Sequence, residues 1–392
     1  MEIYKINGLE VILDNRENSR LSHIILASRV GSRYEQKSGI THFLEHTIFR
    51  GSKHYSYEEI NEFFELYGGS IDAWTTKENL VIFTSILNEK LKEALKIIFD
   101  IIANSTFENY EKEKSVIIQE YREILDNYEE RSYYYLNKAI FKEHPLSREI
   151  IGTKENILNF TMDDLLRRKN EVFSKDNVVM LISGSVNIDD IIRFIEDNFY
   201  LENYYKLAFL PFNSYYPSNI IKKRKAYNNY VSLGIPIFNY HEFKLALNAF
   251  SYFLGSGSSS ILFDIIRGKY GLVYDIHTFL DLYREVSVFG ISYVVSKSVN
   301  ERVVEEIIKI LRSLESHVNF KKLKQKFKTS IIIEFDSYLN YLFFVISEYL
   351  QSGKILKIED ILYQIESLNF EDILKVIKIL ENFEHYSISI IA

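Results

Sequence analysis

Two of the four prolines in this 392-residue chain, Pro211 and Pro217, fall in one short stretch, "LAFLPFNSYYPSNI" (207–220). Proline cannot continue a helix or donate to a sheet ladder, so regular structure breaks near the middle of the chain. We read residues 206–221 as a linker between two domains, 1–205 and 222–392. At this length, with 47% apolar residues, the chain can fill two cores of ordinary size. The basic run "KKRK" (222–225) reads as a solvated loop or edge-strand face, since nothing around it would cradle phosphate.

The halves on either side are alike in outline. Each opens with strands, runs through helices and closes on a β-rich segment, "NVVMLISGSV" (177–186) and "HYSISIIA" (385–392). An amphipathic helix precedes each closing strand, around 161–174 and 370–381. "TMDD" and "NFED" supply the cap and acidic first turn expected at a helix start. Strands and helices mix without regular βαβ alternation. The expected class is therefore α+β: two similar α/β sandwich halves, each a mainly antiparallel sheet packed with helices.

Composition narrows the function classes. The chain has no cysteine, so a metal must sit on His, Asp or Glu. A net charge of −7 with acids and bases interspersed gives no basic footprint for nucleic acid. "MEIYKINGLEVILDNR" alternates like a strand and lacks the cationic start and apolar core of a signal peptide. "YLNYLFFVISEYL" (338–350) is too short and too polar at its ends to cross a membrane. A soluble, cytoplasmic protein without membrane or nucleic-acid partners is expected.

The chemistry lies in "GITHFLEHTIFRGS" (39–52). On a helix His42, Glu45 and His46 fall within roughly a 100° arc, so two imidazoles one turn apart can share a cation beside a carboxylate. The flanks suit a helix: Gly39 ends the preceding segment, Thr41 can cap, and "FRGS" closes it. The order H-x-x-E-H is that of the zincins inverted. Nine histidines and 54 acids in 392 residues produce it by chance in roughly three chains per hundred, so it does not decide alone. Zinc also needs a third protein ligand, with one position left for water.

"NYEKEKSVIIQEYREILDN" (109–127) offers one. Glu113 and Glu120 lie two turns apart, within about 20° of each other, on a face shared with Ile117 and Ile124. Carboxylates on a core-facing stripe need something to neutralise them, and a cation does so. Glu123 points about 60° away, toward solvent. His23, His54, His144, His241, His277, His317 and His385 have no partner at ligand spacing and read as structural or solvated.

The run "VGSRYEQKSGITHFLEHTIFRGS" resembles the M16 (pitrilysin-type) zinc metallopeptidases, whose H-x-x-E-H is followed some 75 residues later by a glutamate ligand. Here 73 residues separate His46 from Glu120, and Glu113 matches the family's second acid seven residues earlier. By resemblance His42, His46 and Glu120 bind one Zn2+ per chain, Glu45 is the general base, and Glu113 supports the site. "YGGSIDAWTTKENLVIF" (67–83) is similar to the family's strand after the zinc helix, with Asp72 where Asn is usual, and Trp74 in that strand reads as core packing. "EHPLSREIIGTKENI" (143–157) matches its link toward the end of the first half. "LGSGSSSILFDIIRGKYGLVYDI" (254–276) resembles its Gly/Ser loop, helix and strand, with Arg267 and Tyr274 at the Arg and Tyr and Ile261 replacing a common arginine. As a phosphate cradle that loop fits neither the P-loop nor G-x-G-x-x-G.

The resemblance implies a zinc-dependent endopeptidase acting on peptides or unfolded segments held in an enclosed cleft. Ala73 and Thr75 lie on the strand that would bind substrate by strand addition, while Arg267 and Tyr274 hold its backbone or the developing oxyanion. Larger single-chain relatives are about twice this length, which implies a homodimer with composite sites here. The alternative is a non-catalytic or partner subunit of an M16-type heteromeric complex.

Overall fold

The computed structural model describes residues 1–381 and 383–392. The first sheet holds β1 (Glu2–Ile6), β2 (Leu9–Asn15), β3 (Leu21–Ser28), β4 (Ile71–Thr75), β5 (Leu80–Leu87) and β6 (Val178–Gly184), in the order β1-β2-β6-β3-β5-β4. Only β2 and β6 pair in parallel. The N-terminal segment read as one strand is a hairpin: Asn7 and Gly8 take positive φ (49° and 84°), the two-residue turn that Asn-Gly favours. β6 is buried along its whole length between β2 and β3, as its continuous apolar run requires.

The second sheet holds β7 (Asn219–Lys222), β8 (Asn228–Phe238), β9 (Val273–Leu282), β10 (Val286–Ser296) and β11 (Ser387–Ile391), in the order β7-β11-β8-β10-β9. Here too a single pair, β7 with β11, is parallel. Matching β7, β11, β8, β10 and β9 to β2, β6, β3, β5 and β4 reproduces the same connectivity, and β1 is the first sheet's extra strand. The class is α+β as expected, and "KKRK" emerges exposed from an edge strand.

The domain boundaries differ from a cut at one linker. One compact unit comprises Met1–Arg122, Arg148–Phe209 and Tyr338–Ile355; the other comprises Glu123–Ser147, Leu210–Ser337 and Leu356–Ala392. The division at 209/210 falls inside the expected linker, but each half also gives one helix to the other unit. The helix Tyr128–Phe141 packs Leu136, Ile140 and Phe141 against Val286, Val288 and Phe212 in the second unit. The helix Tyr338–Ser352 sets Phe343 edge-on to Trp74 and Phe83, at 5.0 and 5.2 Å, in the first. Trp74 is half-buried in this aromatic cluster. Among the described residues no single helix is long and apolar enough to cross a membrane.

The repeated helix starts follow expectation. Thr161 caps the helix Met162–Val172 in a reciprocal box with Asp164, and the Asn369 side chain accepts from the Asp372 amide at 3.0 Å before Phe370–Glu381.

Candidate metal centre

The motif helix runs Ile40–Thr47 and buries Phe43 and Leu44. Its start is not built as the sequence suggested. Gly39 is the N-cap, at φ 96°, and offers no side chain. Glu35 reaches back from the preceding loop instead, accepting from the Gly39 amide (2.6 Å) and from the Thr41 amide and hydroxyl (3.1 and 2.7 Å). Thr41 is a donor inside the first turn and not the cap. Burial pushes the Glu35 carboxyl above its usual range, partly offset by the Arg168 charge and these three bonds. Arg168, itself buried, donates to the Thr41 hydroxyl at 3.0 Å and to the Gly31 carbonyl at 2.9 Å. Gly39 is also obligatory sterically, because a Cβ there would sit 2.6 Å from the Ile151 carbonyl oxygen and 2.9 Å from the Gly152 Cα. The "IIGT" link thus closes onto the start of the motif helix.

The helix Tyr110–Asp126 faces it, and Tyr110 meets Phe43 edge-on at 6.4 Å. Glu120 lies between the two imidazoles: its Oε1 is 3.4 Å from His42 Nε2 and its Oε2 is 3.2 Å from His46 Nε2. The rings are 4.6 Å apart between centroids. One ligand atom from each of His42, His46 and Glu120 can be chosen with all three within 4.8 Å of one another. Burial opposes charge on Glu120, but bonding to His42 and His46 prevails and holds its carboxyl well below the usual range. Glu123, the rejected alternative, is exposed.

These residues fit a metal. Glu45 Oε2 is buried without a hydrogen-bond partner, a costly arrangement that a cation and its water would relieve. Two imidazoles and a carboxylate are a zinc donor set, and Glu45 stands on the same helix without belonging to it.

Glu113 is 4% exposed, and its Oε2 lies 3.7 Å from His46 Nδ1, on the side of the ring away from Glu120. A carboxylate on the far nitrogen of a ligating histidine fixes the ring and raises its basicity. Its other oxygen is paired with Arg50 Nη2, and the Arg50 guanidinium lies over the Tyr57 ring at 4.5 Å. Sequence reasoning passed over Arg50 as part of a helix-closing "FRGS". The signal was its position, one turn beyond His46 and so able to reach the same side.

Ala73 and Thr75 lie on β4, an edge strand packed beside the motif helix; its one ladder, to β5, pairs Ala73 with Ile82 and Thr75 with Leu80. The Thr75 hydroxyl is buried without a partner, and Asp72 is exposed. Arg267 and Tyr274 belong to the second unit. Arg267 sits on a π-helical turn, Phe263–Lys269, with its guanidinium 5.4 Å from the Tyr274 ring centroid, and Tyr274 is 80% exposed. The structure therefore brings these two together as a pair; within the first unit it brings His42, His46, Glu113 and Glu120 together, with Glu45 on the helix of the two histidines. Among the remaining histidines, His54 pairs with Asp100 at 2.8 Å and His23 meets the Ser85 hydroxyl at 2.7 Å.

Two family models match the chain, insulinase (peptidase family M16) over residues 10–154 and the peptidase M16 inactive domain over 159–327. An uncharacterized zinc protease of Rickettsia bellii is 32% identical over 292 residues, 73% of this chain and 71% of that protein. The chain belongs to peptidase family M16. Another member, the uncharacterized zinc protease YmxG of Bacillus subtilis, is 27% identical over 93% of this chain and 91% of its own. A protease from Helicobacter pylori shares the M16 fold, with TM-score 0.87 and 21% identity, covering 100% of this chain and 98% of its own. The inactive-domain match falls mostly on the second half, which carries no H-x-x-E-H.

Proposed function

We propose that this chain is a zinc endopeptidase that hydrolyses peptides or unfolded segments bound as an added strand. The observation that carries the reading is the convergence of His42 Nε2 and His46 Nε2 on Glu120, with a partnerless carboxylate oxygen of Glu45 on the same helix. His42, His46 and Glu120 would hold one zinc ion. When bound, that ion polarises a carbonyl and lowers the pKa of water. Glu45 accepts the proton of the attacking water and returns it to the leaving amine. Glu113 keeps His46 oriented, and Arg50 pairs with the other oxygen of Glu113.

The free edge of β4 supplies main-chain donors and acceptors to an extended substrate around Ala73 and Thr75, so backbone is read more than side chains. Arg267 and Tyr274 are prepositioned donors for the substrate backbone or the oxyanion. The larger family assembly this implies is a homodimer in which zinc from one subunit serves with Arg267 and Tyr274 of the other.

Digestion of one protein in native and in unfolded form, with and without chelator, tests the reading. Chelator-sensitive cleavage of the unfolded form alone is expected, because a folded substrate has already committed its backbone groups. Equal turnover of both forms would overturn strand addition, and cleavage insensitive to chelator would overturn the metal.

A further inference from the structure

Arg168, on the helix Met162–Val172, is the bulkiest of the fully buried side chains among the described residues, at 2% exposed. Its three guanidinium nitrogens donate in three directions: Nε to the Thr41 hydroxyl at 3.0 Å, Nη2 to the Gly31 carbonyl at 2.9 Å, and Nη1 to Glu171 Oε2 at 2.8 Å. Taking a guanidinium out of water is costly, and a buried charge gives little net stability over a well-packed apolar side chain. What a guanidinium adds is fixed direction, through a rigid planar fork.

Two of those directions lead to the two elements on which the proposed hydrolysis depends. The Thr41 hydroxyl that accepts from Arg168 donates in turn to the Glu35 carboxylate at 2.7 Å, and Glu35 caps the motif helix. Thr41 precedes His42 and lies one turn before Glu45 in a helix of only eight residues, so the placement of the start carries directly to the base. The Gly31 carbonyl belongs to the support of the substrate strand. The backbone amides of Gly31, Ser32 and Arg33 donate to the carbonyls of Glu78, Thr76 and Lys77, at 2.9, 3.0 and 2.9 Å, in the turn immediately after β4. Packing there is so close that a Cβ on Gly31 would lie 2.2 Å from the Asn79 amide nitrogen. Arg33, also buried, holds the same turn by pairing with Glu78 at 2.6 Å. One side chain thus ties the start of the motif helix and the end of the substrate strand to a third element.

We infer that Arg168 is a positioning residue for hydrolysis, fixing the register between β4, along which substrate lies, and the motif helix, which presents Glu45. This rests on the reading that substrate adds to β4 and that Glu45 is the base. Arg168 acts through Thr41 and Gly31 and not on the metal ligands themselves. A displacement of about 1 Å between a bound carbonyl and its base costs up to about 100-fold in rate. Binding at the strand edge and capture of the metal use groups that stay in place. The signature of Arg168 is therefore a loss in kcat with KM and zinc affinity held.

Arg168→Lys tests this, because an ammonium keeps the charge but cannot serve the Thr41 hydroxyl and the Gly31 carbonyl in the geometry of the fork. Per folded, zinc-loaded chain, kcat on an extended peptide should fall about tenfold, with KM, and zinc affinity in a chelator competition, within about threefold of wild type. Thr41→Val removes the hydroxyl between Arg168 and Glu35 and should lower kcat about fivefold. The double variant should fall no further than Arg168→Lys alone, since both act on one link. Hydrogen exchange of the metal-free chain adds a readout independent of turnover: in Arg168→Lys the amides of Gly31–Arg33 and of Gly39–Thr41 should exchange faster together, with β6 unchanged. An unchanged kcat per zinc-loaded chain would make Arg168 a packing residue and overturn the inference. So would a fall in zinc affinity matching the fall in kcat, multiplied losses in the double variant, or faster exchange in only one of the two segments. A wild type without chelator-sensitive cleavage would instead overturn the hydrolytic reading, and the coupled exchange then decides whether Arg168 joins the two elements. Should Arg168→Lys fail to fold, Thr41→Val decides on the same criteria.

Discussion

In the first unit, the helix Tyr110–Asp126 opens on Glu111 and Glu113 and carries Glu120. In the second unit, the helix at the same place in the connectivity, Phe320–Asp336, opens on Lys321 and Lys322 and carries Lys326. The sheets beneath them repeat strand for strand, apart from β1. One connectivity therefore carries two different sets of side chains at corresponding helix positions.

Three experiments press on that comparison. The largest effect is expected when the units are made to share labour. Mixing a Glu45→Gln subunit with an Arg267→Ala subunit, each inactive alone, should restore activity to about a quarter of wild type if sites form across a dimer. Under proven subunit exchange, no recovery would mean that both lesions act on a site within one chain. Next, Arg50→Met should leave the buried Glu113 unpaired and loosen its hold on His46, weakening zinc about 10- to 100-fold in a chelator competition, with Arg50→Lys partly restored. An unchanged affinity would make Arg50 a surface residue of no account to the site. The smallest effects concern the repeated caps. Thr161→Ala and Asn369→Ala should each cost about 1 kcal/mol in urea unfolding. A cost near zero for one of them would show that the repeated helix starts do different work.

Each half of the cluster was legible because helical geometry is local, setting His42, Glu45 and His46 on one arc and Glu113 with Glu120 on one face; that the two helices meet rested on the resemblance to family M16. Helix caps at Thr161 and Asn369 were legible for the same reason. The rest depends on contacts distant in sequence. The apolar faces of Tyr128–Phe141 and Tyr338–Ser352 announce that each covers a sheet, but nothing in their periodicity says which sheet. Glu35 could not be recognised as the cap of the motif helix, because capping rules look to the residue beside the helix, and here that residue is Gly39 at positive φ. Arg50 was hidden because its partner, Glu113, comes from another helix.

Zinc content, measured alongside hydrolysis, tests the central claim most directly. The wild-type chain should hold one zinc. Glu45→Gln should keep that zinc while hydrolysis falls by about 100-fold or more, since a base and not a ligand is lost. Glu120→Ala should lose both, because three protein ligands are the usual minimum for a tight site. A Glu120→Ala protein with full zinc, beside a Glu123→Ala protein without it, would contradict the account.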